Sequence, residues 1–306
     1  MKNAQKRRNA NNALQHTYKI TYDGGVLFYR VSDHLVYYTL QSVLSRKHQL
    51  PILGTSHMFT HVHEATFPED IVQLSAYEHD LSFMFARDYN RETGRKGQLF
   101  LRHYGSAPKR NEKDMRSCLM YVFNNPFEKK LVSKAIEDRW NFLAYYENEY
   151  PFSQKPVLRY CRKCLVDAIH LVEHEYKSGR YLKYPFLYKL FSALNNTERM
   201  QSIDFIIQCY FFFDLKACEM LFGSLEKMIH ATEFYTGKEF DVGEVFDPSS
   251  DIPYREMCTV AKKEGLLGAG MPLFHMSESR RGRLISLFEN TTGASEQQIT
   301  KFLHLR

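Results

Sequence analysis

The motif His61-Val62-His63 is a candidate metal-binding pair, because it has two imidazoles two positions apart. It lies in a stretch of alternating apolar residues, and on a β-strand the side chains at i and i+2 point to the same face. Both imidazoles would then converge while Val62 enters the core. Two neutral imidazoles on one face make half of a divalent-metal site. The alternative is a pair of surface or hydrogen-bonded strand histidines, and the motif alone does not decide between them.

A tyrosine and an asparagine near the end of a predicted helix form a second candidate pair. Periodicity predicts this helix from about 111 to 125, and Pro126 is expected to end it. At about 100° per residue, Tyr121 and Asn125 lie about 40° apart, on the edge of the buried stripe that contains Val122. A phenol and a carboxamide thus lie side by side at the edge of the buried face of this helix. The alternative is a tyrosine that only packs and an asparagine that only stops the helix.

A basic segment between 87 and 110 is the third candidate, with seven Arg or Lys residues against two acids. Glycines make it flexible, and aromatic residues alternate with the cations. Such a loop can hold phosphates and stack unpaired bases. A solvated basic connection is the alternative.

The elements that must position these residues differ between the two halves of the chain. Residues 1–150 alternate strand and helix patterns around the turn signal Asp23-Gly24-Gly25, which predicts one α+β unit. The predicted strands are 17–21, 26–30, 51–54 and 58–67, and the predicted helices are one capped by Ser32, one from 68 to about 89 and the one from about 111 to 125.

Beyond residue 150 strand signals nearly vanish, so we place a second, mainly α-helical domain at 151–306. Its last two helices flank Gly293, and the first of them begins with Arg280, Arg281 and Arg283. This pattern is typical of a helix-turn-helix that docks on DNA, and equally of a plain helical hairpin. The predicted helices are 158–177, 199–233, 254–266, 280–291 and 296–303, with a loop at about 237–252.

Composition favours a cytoplasmic globular protein with a polyanionic partner. The chain has 306 residues and a formal charge of +6. Its basic N-terminus lacks the apolar core of a signal peptide, and the apolar run at 205–213 is far shorter than the roughly 20 residues that span a bilayer. Six irregularly spaced cysteines in such a chain predict free thiols. We therefore expect no export and no membrane partner.

Taken together, these motifs resemble the single-tyrosine transposases of the HUH class, and specifically the REP-associated tyrosine transposase branch. The resemblance covers about residues 15–147. It depends on His61-Val62-His63, on the block from Tyr89 to Tyr104, and on Tyr121 to Pro126 followed by Leu131-Val132. The sequence departs from the family's usual pattern on both sides of the histidine pair, at Phe59-Thr60 and Glu64-Ala65-Thr66, without removing a ligand.

The resemblance implies a ferredoxin-like antiparallel sheet flanked by helices and a site that cuts single-stranded DNA near a hairpin. Tyr121 would be the nucleophile and form a 5′-phosphotyrosyl link, and Asn125 would join His61 and His63 as ligands of Mg²⁺ or Mn²⁺. Such a protein acts at the nucleoid, as a monomer or homodimer. A catalytically silent relative that only binds DNA or RNA is the alternative, and the basic segment argues against a small-molecule metal hydrolase. The expected DNA-binding residues are Arg91, Arg95, Lys96, Phe100, Arg102 and Tyr104.

Overall fold

A four-stranded antiparallel sheet forms the centre of the first half of the computed structural model, which describes residues 10–11, 13–101, 104–234 and 249–305. The strand order is β2-β3-β1-β4, and every neighbouring pair is antiparallel. The strands are β1 Leu14–Ile20, β2 Ile52–His57, β3 His61–Thr66 and β4 Gly105–Lys109.

Two helices connect these strands and a third follows them. Helix α1, Val31–His48, lies between β1 and β2, and α2, Ile71–Thr93, lies between β3 and β4. This βαββαβ order with its central β1 and β3 is the ferredoxin-like topology. Helix α3, Glu112–Glu128, packs on the sheet face opposite to the one that α1 and α2 cover. The predicted α+β class with a ferredoxin-like sheet is confirmed.

The rest of the described chain is helical, as predicted. Its buried side chains join those of the sheet, because one apolar cluster contains both Leu14 and Ile229. Phe213 even forms a bridge with Ile52 at the outer strand of the sheet. None of the described helices is long and apolar enough to cross a membrane. The helices are α4 Lys163–Lys177, α5 Tyr184–Ser192, α6 Asn196–Cys209, α7 Leu215–Phe222, α8 Leu225–Glu233, α9 Ile252–Lys263, α10 Glu278–Thr291 and α11 Glu296–Leu303.

The strand predicted at 26–30 is wrong. This segment is buried but makes its backbone hydrogen bonds to other parts of the chain, from Val26 N to Lys301 O at 3.1 Å and from Leu27 N to Phe59 O at 2.6 Å. The cap predicted at Ser32 is also displaced, since α1 begins at Val31 and the Asp33 carboxylate accepts the Arg30 N–H at 2.9 Å. Hydrogen bonds to residues far away in the sequence therefore replace the predicted pairing of strands 17–21 and 26–30, and a local sequence pattern does not show such bonds.

The end predicted for α3 is wrong by one turn, because Pro126 lies inside the helix. A proline so near a C-terminus removes one backbone hydrogen bond and leaves the last turn intact. Lys129 N still bonds Asn125 O at 3.0 Å.

The single helix predicted at 199–233 is three helices, α6, α7 and α8. The breaks occur where Asp214 accepts from Ala217 N and where Gly223, in a left-handed conformation, is followed by the cap Ser224. Helix α5 was missed. The loop predicted at 237–252 falls mostly outside the described residues.

Candidate functional site

His61 and His63 lie on one face of β3, with their ring centroids 4.8 Å apart. They are buried, with exposed fractions of 5% and 0%. Strand alternation explains the convergence, because Val62 between them enters the core on the other face. The convergence predicted for the pair is therefore present.

Tyr121 on α3 contacts His63, one member of this pair. Its ring centroid is 5.4 Å from that of His63, with the rings at 78° in an edge-to-face arrangement. The close approach of α3 depends on Gly54 in β2, where a Cβ atom would be 2.6 Å from Cζ of Phe123. A larger residue at Gly54 would push α3, and Tyr121 with it, away from the sheet.

Asn125 lies one turn beyond Tyr121 on the same helix and is 4% exposed. Its Nδ2 donates to the Tyr121 carbonyl oxygen at 2.9 Å. This bond fixes the amide relative to the tyrosine. The amide oxygen is the atom that a hard divalent cation prefers.

His16 on β1 is a member of this cluster that sequence reasoning missed. Its Nε2 is 3.0 Å from Nδ1 of His63, and its ring centroid is 5.7 Å from that of Tyr121. Tyr18, two residues further along β1, lies on the same sheet face with its ring 5.1 Å from that of His63. The alternation of His16, Tyr18 and Ile20 on β1 was the available signal.

The two histidines have the hydrogen bonding that an imidazole ligand of a metal usually has. In both histidines Nδ1 is hydrogen-bonded, to Thr60 Oγ1 in His61 and to His16 Nε2 in His63, each at 3.0 Å. A partner at Nδ1 is the usual arrangement for an imidazole that binds a metal through Nε2. Over the described part of the chain, no three His, Cys, Asp or Glu side chains form a metal-binding group. The amide of Asn125 is therefore the third donor to consider.

The opposite face of the sheet carries a buried charge cluster. The ammonium of Lys19, 1% exposed, contacts the Glu78 carboxylate and lies 3.9 Å from that of Glu64. Gln41 Nε2 donates to Glu64 at 2.6 Å, and the Tyr77 hydroxyl donates to it at 3.2 Å. Burial raises the pKa of Glu78 to about 7 against the opposing effect of Lys19, and the second carboxylate adds to the rise.

This cluster gives Glu64, the polar residue next to the histidine pair, its partners. Glu64 directly follows His63, and its side chain points to the opposite face, toward α1 and α2. A buried, hydrogen-bonded carboxylate fixes this part of β3 as an aliphatic side chain would by packing. Glu64 therefore leaves the histidine face of β3 intact.

The residues expected to bind DNA fall into three groups. Arg91 and Lys96 are exposed at the end of α2 and in the loop after it, and Arg95 is largely covered, with 15% of its side chain exposed. Phe100 and Tyr104 are core residues, 4% and 1% exposed, so no ring face is open to a base and the predicted stacking is wrong. Arg102 lies outside the described residues.

The two C-terminal helices predicted as a helix-turn-helix or hairpin pack on each other, with the rings of Phe288 and Phe302 5.3 Å apart. Whether they dock on DNA stays a prediction.

Comparison with known proteins found no matching family model and no matching curated protein. Among solved structures, the chain is similar to a REP-associated tyrosine transposase bound to a REP hairpin, with 16% identity and a TM-score of 0.38. The match covers 45% of this chain and 81% of that one. A similarity at this level assigns no function by itself, so the functional argument depends on the site.

Proposed function

We propose that this chain is a metal-dependent strand-transferase for single-stranded, hairpin-associated DNA, with Tyr121 as its nucleophile. The observation that carries the proposal is the edge-to-face contact of Tyr121 with His63, at 5.4 Å between ring centroids, beside the second imidazole of His61. The Tyr121 ring belongs to the apolar core and also packs on the imidazoles of His16 and His63, so its phenol lies beside the candidate metal ligands.

In the proposed reaction the phenolic oxygen of Tyr121 attacks the phosphorus of a DNA phosphodiester. One bond forms between that oxygen and phosphorus, and the bond from phosphorus to the 3′ oxygen breaks. The phenol gives up its proton to water, and the departing 3′ oxygen gains one. The product is a 5′-phosphotyrosyl link and a free 3′-hydroxyl.

His61, His63 and Asn125 would hold Mg²⁺ or Mn²⁺ beside the phosphate. Such an ion supplies charge neutralisation and polarises the phosphoryl oxygens, which a phenol with an ordinary pKa near 10 requires at neutral pH. The covalent link conserves the energy of the broken bond, so a 3′-hydroxyl can attack it and rejoin the strand. This supports strand transfer over hydrolysis.

A binding-only relative is a second candidate, and the burial of the cluster favours it. Tyr121 is 9% exposed and His63 is fully buried, so little of the site is open. The exposed cations Arg91 and Lys96 would serve either function.

A covalent-adduct assay decides between the two. The full chain is incubated with Mn²⁺ and a hairpin oligonucleotide carrying a single-stranded flank, labelled at its 3′ or its 5′ end. We expect a protein adduct with the 3′ label, and a shorter free fragment with the 5′ label, because the tyrosine retains the 5′-phosphate side of the cut.

Two phenylalanine variants identify the nucleophile. Tyr121→Phe should abolish the adduct and leave DNA binding unchanged, whereas Tyr22→Phe, at a 44% exposed tyrosine, should react like wild type. An adduct that survives in Tyr121→Phe would assign the reaction to another residue. DNA binding without any adduct in the wild-type protein would favour the binding-only function.

A further inference from the structure

A cavity of about 250 Å³ lies where the loop after α2 meets the C-terminal helices. It is separate from the candidate site, since neither histidine of β3 nor Tyr121 lines it. The lining residues that matter are Arg95 from the loop, Phe274 and His275, Arg281 on α10, and Leu303 and His304 at the end of α11.

Two arginines of this cavity have unused hydrogen-bonding capacity. Within the described ranges, Arg281 is half-buried and has no ion pair and no side-chain hydrogen bond. Arg95 Nη2 lies 3.6 Å from the Asp23 carboxylate, and its buried Nη1 has no hydrogen-bond partner among the described residues. A buried donor without an acceptor is costly, so an acceptor in the cavity is favoured.

His304 also lines the cavity. Its Nδ1 is 2.7 Å from Asp23 Oδ2 and its Nε2 is 2.9 Å from the Val26 carbonyl oxygen. Each ring nitrogen therefore faces an acceptor oxygen. Two guanidinium cations, Arg95 and Arg281, thus line the cavity, with the Asp23 carboxylate 3.6 Å from Arg95, and the cavity favours an anion.

One wall of the cavity is apolar. Phe274 is half-buried, with its ring edge-to-face with that of His304 at 5.3 Å, and Leu303 next to it is buried. An anion that also has a flat or apolar part is the ligand that matches both walls.

The loop that presents Arg95 is held in place by the C-terminal half of the chain. Gly94 has φ +65°, and a Cβ atom on it would be 2.5 Å from the ring of His275. The same ring donates from Nε2 to Thr93 O at 2.8 Å. Only glycine fits this corner, so Arg95 is oriented before any ligand arrives.

We propose that this cavity binds a nucleotide, with the phosphate on Arg95 and Arg281 and the base against Phe274. Guanidinium groups match phosphate oxygens in charge and geometry. The volume is below the roughly 300–1,000 Å³ of drug-sized sites, which suits one nucleotide and excludes a duplex. A free nucleotide and a nucleotide within a DNA strand share this chemistry. The site does not depend on Tyr121 being a nucleophile.

Calorimetric titration of the full chain with dAMP, deoxyadenosine and inorganic phosphate tests the free nucleotide, and fluorescence anisotropy with a labelled single-stranded oligonucleotide tests the strand. Arg281→Gln should weaken binding about tenfold or more, the loss typical of one charge-assisted contact. Arg283→Gln is the matched control, because Arg283 is exposed on the same helix, does not line the cavity and donates to Ser279 Oγ.

Binding of dAMP that Arg281→Gln weakens supports a free-nucleotide site, and the same loss for the oligonucleotide alone supports a nucleotide within a strand. Equal losses in both variants, equal binding of deoxyadenosine and dAMP, or no effect of Arg281→Gln on either ligand would overturn the proposal. Thermal unfolding checks that the variants fold. If Arg281→Gln does not fold, Arg281→Lys replaces it, because lysine keeps the positive charge and lacks the paired N–H donors of a guanidinium. We expect the same loss of binding. Tyr121→Phe should bind as wild type does, so failure of the strand-transfer proposal stays distinguishable.

Discussion

His16 Nε2 lies 3.0 Å from His63 Nδ1, so a histidine of β1 holds the ring of a candidate ligand on β3. Of two neutral imidazoles in such a bond, one donates and the other accepts. If His63 donates, its Nε2 carries no proton and can bind a cation. We therefore infer that His16 positions His63 and fixes its tautomer.

The variants His16→Gln and His16→Ala test this role. A glutamine oxygen can occupy the place of Nε2 and accept the same bond, whereas alanine cannot. Loss of such a supporting bond to a metal ligand typically costs about 10- to 100-fold in metal affinity or activity. We expect His16→Ala to raise the Mn²⁺ concentration needed for half-maximal adduct formation by that factor, and His16→Gln to recover most of the loss.

Val62→Ala controls for simple loss of packing, because Val62 is buried on the same strand, on the opposite face from His63. It should lower the free energy of unfolding and leave the Mn²⁺ midpoint unchanged. An equal shift of that midpoint in Val62→Ala and His16→Ala would reduce His16 to a packing residue.

The second prediction concerns metal binding without catalysis. An ion that binds only the native state raises the free energy of unfolding by about 2.7 kcal/mol at 100 times its Kd. We expect Mn²⁺ to raise the Tm of the wild-type protein and of Tyr121→Phe, and to leave that of His63→Ala unchanged. His79→Ala, at an exposed histidine of α2, is the control. A full Tm increase in His63→Ala would place the metal elsewhere.

The sheet and its helices could be predicted because their evidence is local. Alternating apolar residues along β3 and the helical stripe of α3 are visible within a few residues. The segment at 26–30 has the same alternation, but Val26 bonds Lys301 at the far end of the chain. A contact over that distance leaves no local pattern.

The candidate site shows the same difference between residues that a local motif reveals and residues that only a long-range contact reveals. His61, His63 and Tyr121 were found because each belongs to a short motif, while His16 meets His63 across 47 positions of sequence. The basic loop was correctly seen as charged, but burial separates its aromatic residues from its cations. Tyr104 is in the core, with its hydroxyl 3.0 Å from Ser75 Oγ.

The third prediction follows from the buried cluster of Lys19, Glu64 and Glu78. One ammonium faces two carboxylates away from water, and the pKa of Glu78 is raised to about 7. A folded-state pKa above the unfolded value stabilises the fold at low pH, and this stabilisation is lost as pH rises from about 4.5 through 7. The free energy of unfolding should therefore fall over this window, by up to about 1.4 kcal/mol per pH unit.

Urea unfolding at pH 5, 6 and 7 measures this slope. Glu78→Gln has no proton to lose, so its slope should be flatter than that of wild type. Glu289→Gln, at an exposed position of α10, should keep the wild-type slope. Equal slopes in wild type and Glu78→Gln would mean that Glu78 stays ionised throughout.

The last prediction concerns the exposed cations at the end of α2 and in the loop after it. Arg91 and Lys96 are free to reach a DNA backbone, and each phosphate neutralised on a single strand contributes about −0.7 to the slope of log K against log salt. Lys96→Ala should therefore flatten that slope by about 0.7, while Lys216→Ala, at an exposed lysine of α7, should not change it. Tyr104→Phe should leave affinity unchanged at every salt concentration, because its ring is buried and cannot stack on a base. Anisotropy titrations of one hairpin oligonucleotide from low to high salt measure all three. An unchanged slope in Lys96→Ala together with a loss in Arg281→Gln would move the DNA contact from this loop to the C-terminal helices.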